Sequence, residues 1–344
     1  MTVRVGLGLV TGQVPPDIGR TVADEYADVL ALARLAEAVG FDSFWVSEHH
    51  VAEDSYLPSL LPMLAAVAAV TDRILLGTAV ALAPFQHPLR FAEDCAVVDQ
   101  LSRGRLIVGL GAGWRKREFS AFGIPTAERV GRTMELARIC RAAWDEERFT
   151  FAGTHFSYDD VSVTPKPYGH LPLFLGGSVP AAAQRAGRLA DGFIGTPQNQ
   201  IGQLRSQVRV FDDAARDAGR DPSQLAIGFH VNAWVSPDGT VSGDVLQAMW
   251  NQVGRYALWH AQDDASTATD LPPLDEAAIR ARAFIGTPAE VTAEARPWVE
   301  EFGARDLHMI VRLHYPGMTA LDADAAIRSF ATDVLPHLRA VQAG

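Results

Sequence analysis

A closed (β/α)8 barrel of the TIM type, an α/β fold, is what this chain predicts, and three observations predict it. Strand-length segments that are mostly apolar alternate with segments whose apolar residues recur at three and four positions. There are eight of each, and 344 residues suit a closed barrel better than an open doubly wound sheet. The polar and glycine-rich stretches fall at the carboxyl ends of the strands, where such barrels place their sites. An open sheet binding a dinucleotide would need a glycine fingerprint closing directly onto a helix. Gly6-Leu7-Gly8-Leu9-Val10-Thr11-Gly12 has the glycines but no helix start close behind.

Val3 to Val10 reads as the first strand, with Val3, Val5, Leu7 and Leu9 alternating, and Gly12 to Arg20 as a loop with two prolines. Asp24 to Val39 is helical, carrying Val29, Ala33, Ala36 and Val39 on one side and closed by Gly40. Ser43 to Ser47 is a short strand that runs into Glu48-His49-His50, and Ser59 to Val70 is the next helix. Arg73 to Val80 is apolar on both faces, as a strand covered by helices on both sides requires. Pro88 suits a first helical turn, Phe91, Cys95, Val98 and Leu101 mark one helix face, and Gly104 stops it. Arg105 to Gly111 is the fourth strand and Ala127 to Asp145 the fourth helix. Phe149 to Pro167 breaks the rhythm with aromatic, β-prone and turn residues, as a surface excursion does.

The second half continues the alternation. Pro172 to Gly177 and Asp191 to Gly195 are strands, Pro180 to Leu189 is a helix, and Ile201, Leu204, Val208 and Phe211 mark another. Leu225 to Val235 is the seventh strand. A long insertion, Gly239 to Gly286, separates it from its helix, Pro288 to Phe302. Asp306 to His314 and Ala323 to Val341 complete the count, so residues 1–344 read as one domain.

Charged residues at 21% and hydrophobic ones at 48% describe a globular chain. A formal charge of −11 speaks against a nucleic-acid partner, which needs a basic surface. The two cysteines, Cys95 and Cys140, lie in helices without metal-ligand spacing and read as small core residues. The chain starts directly in a strand, and no apolar run is long enough for a bilayer, so a cytoplasmic protein with no membrane partner is expected.

Glu48-His49-His50 is the sharpest chemical signal. Histidine exchanges protons near neutral pH, and an adjacent carboxylate can orient it. A zinc site and a merely polar loop are the other readings; adjacent histidines diverge, and no carboxylate set on later strands completes a metal sphere, so no metal is assigned. Leu175-Gly176-Gly177-Ser178 before a helix has the features of a phosphate cradle, and equally of an ordinary strand-to-helix turn with a serine cap. Gly111-Ala112-Gly113-Trp114 is a turn of small residues on which a flat ring could lie with Trp114 beside it, or a tight turn with a packing tryptophan. The other strand ends supply His87, Glu118, Gly195-Thr196, His230, Asn232, Arg312 and His314.

Together these residues resemble the bacterial-luciferase-like flavin monooxygenases. The resemblance is carried by Trp45-Val46-Ser47-Glu48-His49-His50, Leu76-Gly77-Thr78-Ala79-Val80, His87-Pro88 and Ala92-Glu93-Asp94. It continues through Asp99-Gln100-Leu101-Ser102-Arg103-Gly104-Arg105-Leu106, Glu118-Phe119-Ser120-Ala121-Phe122-Gly123, Thr164-Pro165-Lys166-Pro167, Gly176-Gly177-Ser178 and Ala190-Asp191-Gly192-Phe193. It covers nearly the whole chain and specifies the superfamily, not the substrate.

The resemblance implies a barrel that binds reduced FMN, or a deazaflavin coenzyme, at the carboxyl ends of its strands. It puts the family's non-proline cis peptide on Ala79-Val80, its catalytic histidine on His49 with Glu48 beside it, and His87 and Glu118 near the isoalloxazine ring. Where the luciferases hold the flavin phosphate with an arginine, this chain has Ala112, which leaves Arg312 or the Gly177-Ser178 backbone for it; Gly176 and Gly195 are expected beside the cofactor as well. The expected reaction is oxygenation of a small, partly apolar substrate by dioxygen through a peroxyflavin, with reduced flavin delivered by a separate reductase and His49 moving protons. The alternatives are deazaflavin-dependent hydride transfer and a non-catalytic flavin-binding protein. The insertion, with Trp250, Tyr256 and Trp259, is expected to be a lid, or else a surface ornament or a subunit contact. A homodimer paired through Ser59 to Val70 and Pro88 to Gln100 completes the expectation.

Overall fold

Eight strands pair in parallel and close on themselves. They are Thr2–Val10, Ser43–Val46, Leu75–Thr78, Leu106–Gly111, Leu173–Gly177, Gly192–Gly195, Ala226–Val235 and Asp306–Arg312. Each pairs with its neighbours in sequence, and the eighth returns to the first, with Leu7 opposite Val311. It also lies beside the seventh, where Asn232 is opposite Arg312. This computed structural model describes residues 2–341 apart from 17, 198, 265 and 266. Positions 1 and 342–344 of the span read as one domain, 17 of the first loop and 265–266 of the insertion lie outside the described residues.

The barrel is filled, and glycines explain how. Trp45 points inward from the second strand, and a Cβ at Gly77 would lie 2.0 Å from its ring; Cβ atoms at Gly6 and Gly8 would come within 2.7 and 2.6 Å of it. Phe174, Ile194, Ile310 and Ile107 pack in the same cluster. His308 meets Trp45 and Phe174 edge-on. The lower barrel is therefore a packed core, and only the mouth at the carboxyl ends is left for chemistry. Outside it, helices such as Val22–Val39, Leu60–Ala68, Pro88–Ser102 and Pro288–Phe302 bury apolar faces against the sheet. Thr21 and Thr287 each open a helix with a reciprocal capping box, and Gly40 ends the first at φ 95°.

Four details differ from the sequence reading. The third strand stops at Thr78; the Ala79–Val80 peptide is cis, and Ala81–Leu82 pairs separately with the end of the fourth strand. A six-residue helix, Lys116–Ala121, precedes the fourth helix, which itself runs Arg129–Asp145. The last helix is interrupted by a π turn at Phe330–Val334. The insertion is largely regular, with a 21-residue helix, Gly243–Asp263, and a strand, Ala283–Gly286, that pairs with Asn232–Val235. The excursion before the fifth strand is the hairpin Phe149–Ala152 with Ser157–Val161. Cys95 and Cys140 are buried and free, as small core residues. Among the described residues no helix is long and apolar enough to cross a membrane.

Candidate active site

His49 lies just past the second strand and is 5% exposed. Its Nδ1 is 2.8 Å from Oε1 of Glu118, which is fully buried on the short Lys116–Ala121 helix. An ionised carboxylate only accepts, so Nδ1 carries the proton and Nε2 presents a lone pair toward the barrel mouth. The same Glu118 oxygen accepts the His50 amide at 2.8 Å. Glu48, expected to orient His49, does something else. It accepts from His50 Nε2 at 2.5 Å and from the Leu82 amide at 3.0 Å, so it ties this loop to the one after the third strand. Alternate residues of an extended segment face opposite ways, which sends Glu48 and His50 to one side and His49 to the other.

The insertion helix covers this histidine. Tyr256 OH is 3.2 Å from His49 Nε2 and 3.3 Å from Tyr56 OH, and Tyr56 donates to Ser47 Oγ at 3.1 Å. Burial raises the pKa of Tyr56, and that of Tyr256 well above the usual phenol value, so both stay neutral donors. Trp259 packs 4.8 Å from the His49 ring and 4.2 Å from the guanidinium of Arg115, whose Nη1 donates to the His50 carbonyl at 2.9 Å. Trp114 stacks on His260 with ring centroids 4.1 Å apart. Beyond the rings, Arg255 of the helix forms an ion pair with buried Asp54 at 2.9 Å, and Asp263 accepts the Lys116 amide at 2.8 Å. The segment read as a possible lid lies on the mouth and is latched there.

At the ends of the fourth and fifth strands a pocket is lined by Ala112, Thr133, Gly176, Ala182 and Arg185. Arg185 is half-buried, and burial together with the neighbouring charge of Arg129 lowers its pKa. Among the described residues neither arginine has a salt-bridge partner. Val80 leans into this side: Cβ atoms on Gly111 and Gly176 would lie 2.4 and 2.8 Å from its methyl groups.

Over residues 3–306 the sequence matches a family model described as luciferase-like monooxygenase. The chain belongs to this family. A relative, the F420-dependent glucose-6-phosphate dehydrogenase of Beutenbergia cavernae, is 38% identical over 337 residues, 92% of this chain and 96% of that protein. The monooxygenase RslO1 from Streptomyces bottropensis superposes with a TM-score of 0.81 at 29% identity, covering 97% of this chain and 99% of that one. An F420-dependent secondary alcohol dehydrogenase in complex with an F420–acetone adduct shares the fold, with a TM-score of 0.78 at 21% identity and coverage of 98% and 100%.

Of the luciferase-like positions read from the sequence, the structure brings His49, Glu118 and Trp114 together under the insertion helix. His87 is not among them: it is exposed at the start of Pro88–Ser102, with its ring 6.4 Å from Tyr158 of the hairpin. Ala79, Val80 and Gly176 border the arginine pocket side. Ser178 is exposed and is not the helix cap, which is Val179; its carbonyl accepts from Gln207 at 2.8 Å. Gly177 and Gly195 are needed for packing, since Cβ atoms there would lie 2.4 Å from Ala182 and 2.6 Å from Leu204. Arg312 is buried on the eighth strand, which adjoins the first and seventh and not the fifth. Sequence reasoning missed Tyr56, Arg115 and Arg185; the aromatic content of the insertion was the only signal for Tyr256 and Trp259.

Proposed function

We propose that the chain is a deazaflavin-dependent oxidoreductase that moves a hydride between its cofactor and a small alcohol or carbonyl compound, with His49 exchanging the proton. The observation that carries this reading is the Glu118–His49 pair: Nδ1 is held by a buried carboxylate, which leaves Nε2, beside the Tyr256 hydroxyl, as the proton acceptor. Relatives named for F420 support the deazaflavin alternative over the reduced-FMN and dioxygen reading.

The residues present fit such a cofactor. Arg185 lines the pocket with Gly176 and Ala112, has no ion-pair partner among the described residues and feels the charge of Arg129, so it suits a phosphate where Ala112 supplies no charge. The small residues Ala112 and Gly113, next to Trp114, leave backbone on which a flat ring can lie. When bound, a deazaflavin supplies a ring carbon that accepts or returns a hydride. As the substrate C–H bond gives up its hydride, the hydroxyl proton passes to His49 Nε2 and a C=O bond forms. Glu118 stabilises the resulting imidazolium, as a buried carboxylate does for a catalytic histidine. Tyr256 OH, already 3.2 Å from Nε2, positions the oxygen end of the substrate. The insertion helix excludes water from the transfer.

The second reading, a flavin monooxygenase with a partner reductase and a peroxyflavin, is favoured by the whole-chain likeness to RslO1. An anaerobic titration separates the two. The expected result is tight binding of oxidised F420 and loss of its visible absorbance when a panel of secondary alcohols and sugar phosphates is added. Tight binding of reduced FMN instead, with oxygenated product after air is admitted, would replace this reading by the monooxygenase one.

A further inference from the structure

At the end of the eighth strand stands a buried charge without a counter-charge. His308 and Ile310 face the barrel interior, against Trp45 and Phe174. The two-residue period of a strand points Arg312 the same way, one layer nearer the mouth. Arg312 is 3% exposed and its Nε has no hydrogen-bond partner. Among the described residues no carboxylate lies within ion-pair distance of it.

Its surroundings offer donors and uncharged rings. The charge of Arg312 acts on Tyr56, Tyr256, His230 and His314, which places it between the seventh strand, the loop after the second strand and the insertion helix. Burial keeps both phenols protonated, and burial first, with Arg312 next to it, pushes His230 down to about 4. His314 is pushed to about 4 by burial, with Arg20 and Arg312 adding to it. The carboxylates nearby are engaged: Glu118 with His49 and His50, Asp54 with Arg255 and Gln13. Glu25 sits 3.8 Å from His314, and burial lifts its carboxyl to about 7. A guanidinium removed from water without a partner is strongly unfavourable, and its planar fork matches an oxyanion.

We propose that Arg312 is the specificity-determining anchor for an oxyanionic substituent of the substrate, a phosphate or a carboxylate, with the phenols of Tyr56 and Tyr256 as further donors. Tyr256 links the anchor to the base, since its hydroxyl lies 3.2 Å from His49 Nε2 and it feels the charge of Arg312. The cofactor phosphate goes elsewhere, to the Gly176 and Arg185 pocket, which Arg312 does not line. This deepens the hydride-transfer reading and rests on it only in calling the anion a part of the substrate.

The test uses the full chain without cofactor, so that it stands whichever cofactor binds. Inorganic phosphate and sodium acetate are titrated by calorimetry into Arg185→Gln protein, which removes the competing anion site. Saturable binding of either probe is expected, weakened about tenfold or more when Arg312→Gln is added, and by a smaller factor with Arg312→Lys, which keeps the charge without the fork. No binding of either probe, or equal affinity with and without Arg312→Gln, overturns the proposal. F420 affinity is measured on the single Arg312→Gln variant and is expected to be unchanged. A large loss there would put Arg312 on the cofactor and also overturn it. With an active substrate, Arg312→Gln should raise KM far more than it lowers kcat.

Discussion

Replacing Glu118 by glutamine isolates the charge behind His49 from the geometry that holds it. Glu118 Oε1 accepts two N–H groups, His49 Nδ1 and the His50 amide, each at 2.8 Å. An amide turned with its NH2 toward that point would set donor against two donors, so the glutamine keeps its oxygen there. The Nδ1–H tautomer therefore survives, and only the charge is lost. A hydrogen bond to a charged partner contributes about 1.5–3 kcal/mol and a neutral one about 0.5–1.5. The difference, about 1–2 kcal/mol on the imidazolium formed during proton transfer, slows the reaction about 5–30-fold. Glu118 Oε2 has no partner, so the incoming NH2 is unmatched as well, at about 1–3 kcal/mol of stability. Anaerobic single-turnover reduction of the deazaflavin at saturating substrate measures the rate. A rate within twofold of wild type would mean that no charge develops on His49. A fall beyond about a thousandfold would mean that the tautomer was lost, and the two-donor argument with it.

Two further predictions concern the lid and its surroundings. Arg255→Met leaves buried Asp54 without its cation, a change that costs about 3–5 kcal/mol where a buried pair is broken from one side. The cost should be met by release of the insertion helix, seen as faster limited proteolysis within Gly243–Asp263 while the barrel's circular dichroism is retained; equal cleavage rates would count against the latch. Glu25, 3% exposed, has its carboxyl lifted from 4.5 to about 7 by burial, with Arg20 pulling the other way. The folded state thus keeps a proton that the unfolded chain has released. That contribution is full below about pH 4.5, is lost as pH rises through about 7, and amounts to about 3 kcal/mol. Glu25→Gln cannot ionise, so urea unfolding should find it gaining on wild type by about that much between pH 5 and pH 8, and a gap independent of pH would refute the assignment.

The barrel was legible in the sequence because its rules are local. A two-faced apolar run such as Leu75–Thr78, or a helix face such as Phe91, Cys95 and Val98, announces its environment within ten residues. The site was legible only in part. Lys116–Ala121 is too short to show two turns of periodicity, so Glu118 was found by resemblance and its helix was not found at all. Tyr256 reaches His49 across 207 positions, a contact no local pattern encodes. Glu48 is the instructive error: its adjacency to His49 suggested contact, yet the alternation of extended backbone argues against it and the structure pairs it with His50. Gly177 is a second lesson of this kind. The sequence marks it for a phosphate, yet a valine there would drive its Cβ to 2.4 Å from Ala182, so a packing defect would mask any effect on affinity.

Reduced FMN and a deazaflavin were hard to tell apart from the sequence because most of the residues that mark the family serve what the two share. Both bring a phosphate and a flat ring, so Gly176, Val80 and Trp114 answer to either. What differs is the partner at the reactive edge of the ring. An oxygenase must keep a reactive oxygen adduct dry, whereas a dehydrogenase must also pass a hydroxyl proton to a base held in one tautomer. The insertion helix serves the first need and is compatible with both. Glu118 fixing His49 Nδ1, with Tyr256 OH at Nε2, serves the second directly. The proposed base is thus held by a carboxylate 69 residues from its histidine, on a helix of six residues. Under the proposed hydride transfer it is the long-range pair, and not the Glu48-His49-His50 run beside it, that would hold the base.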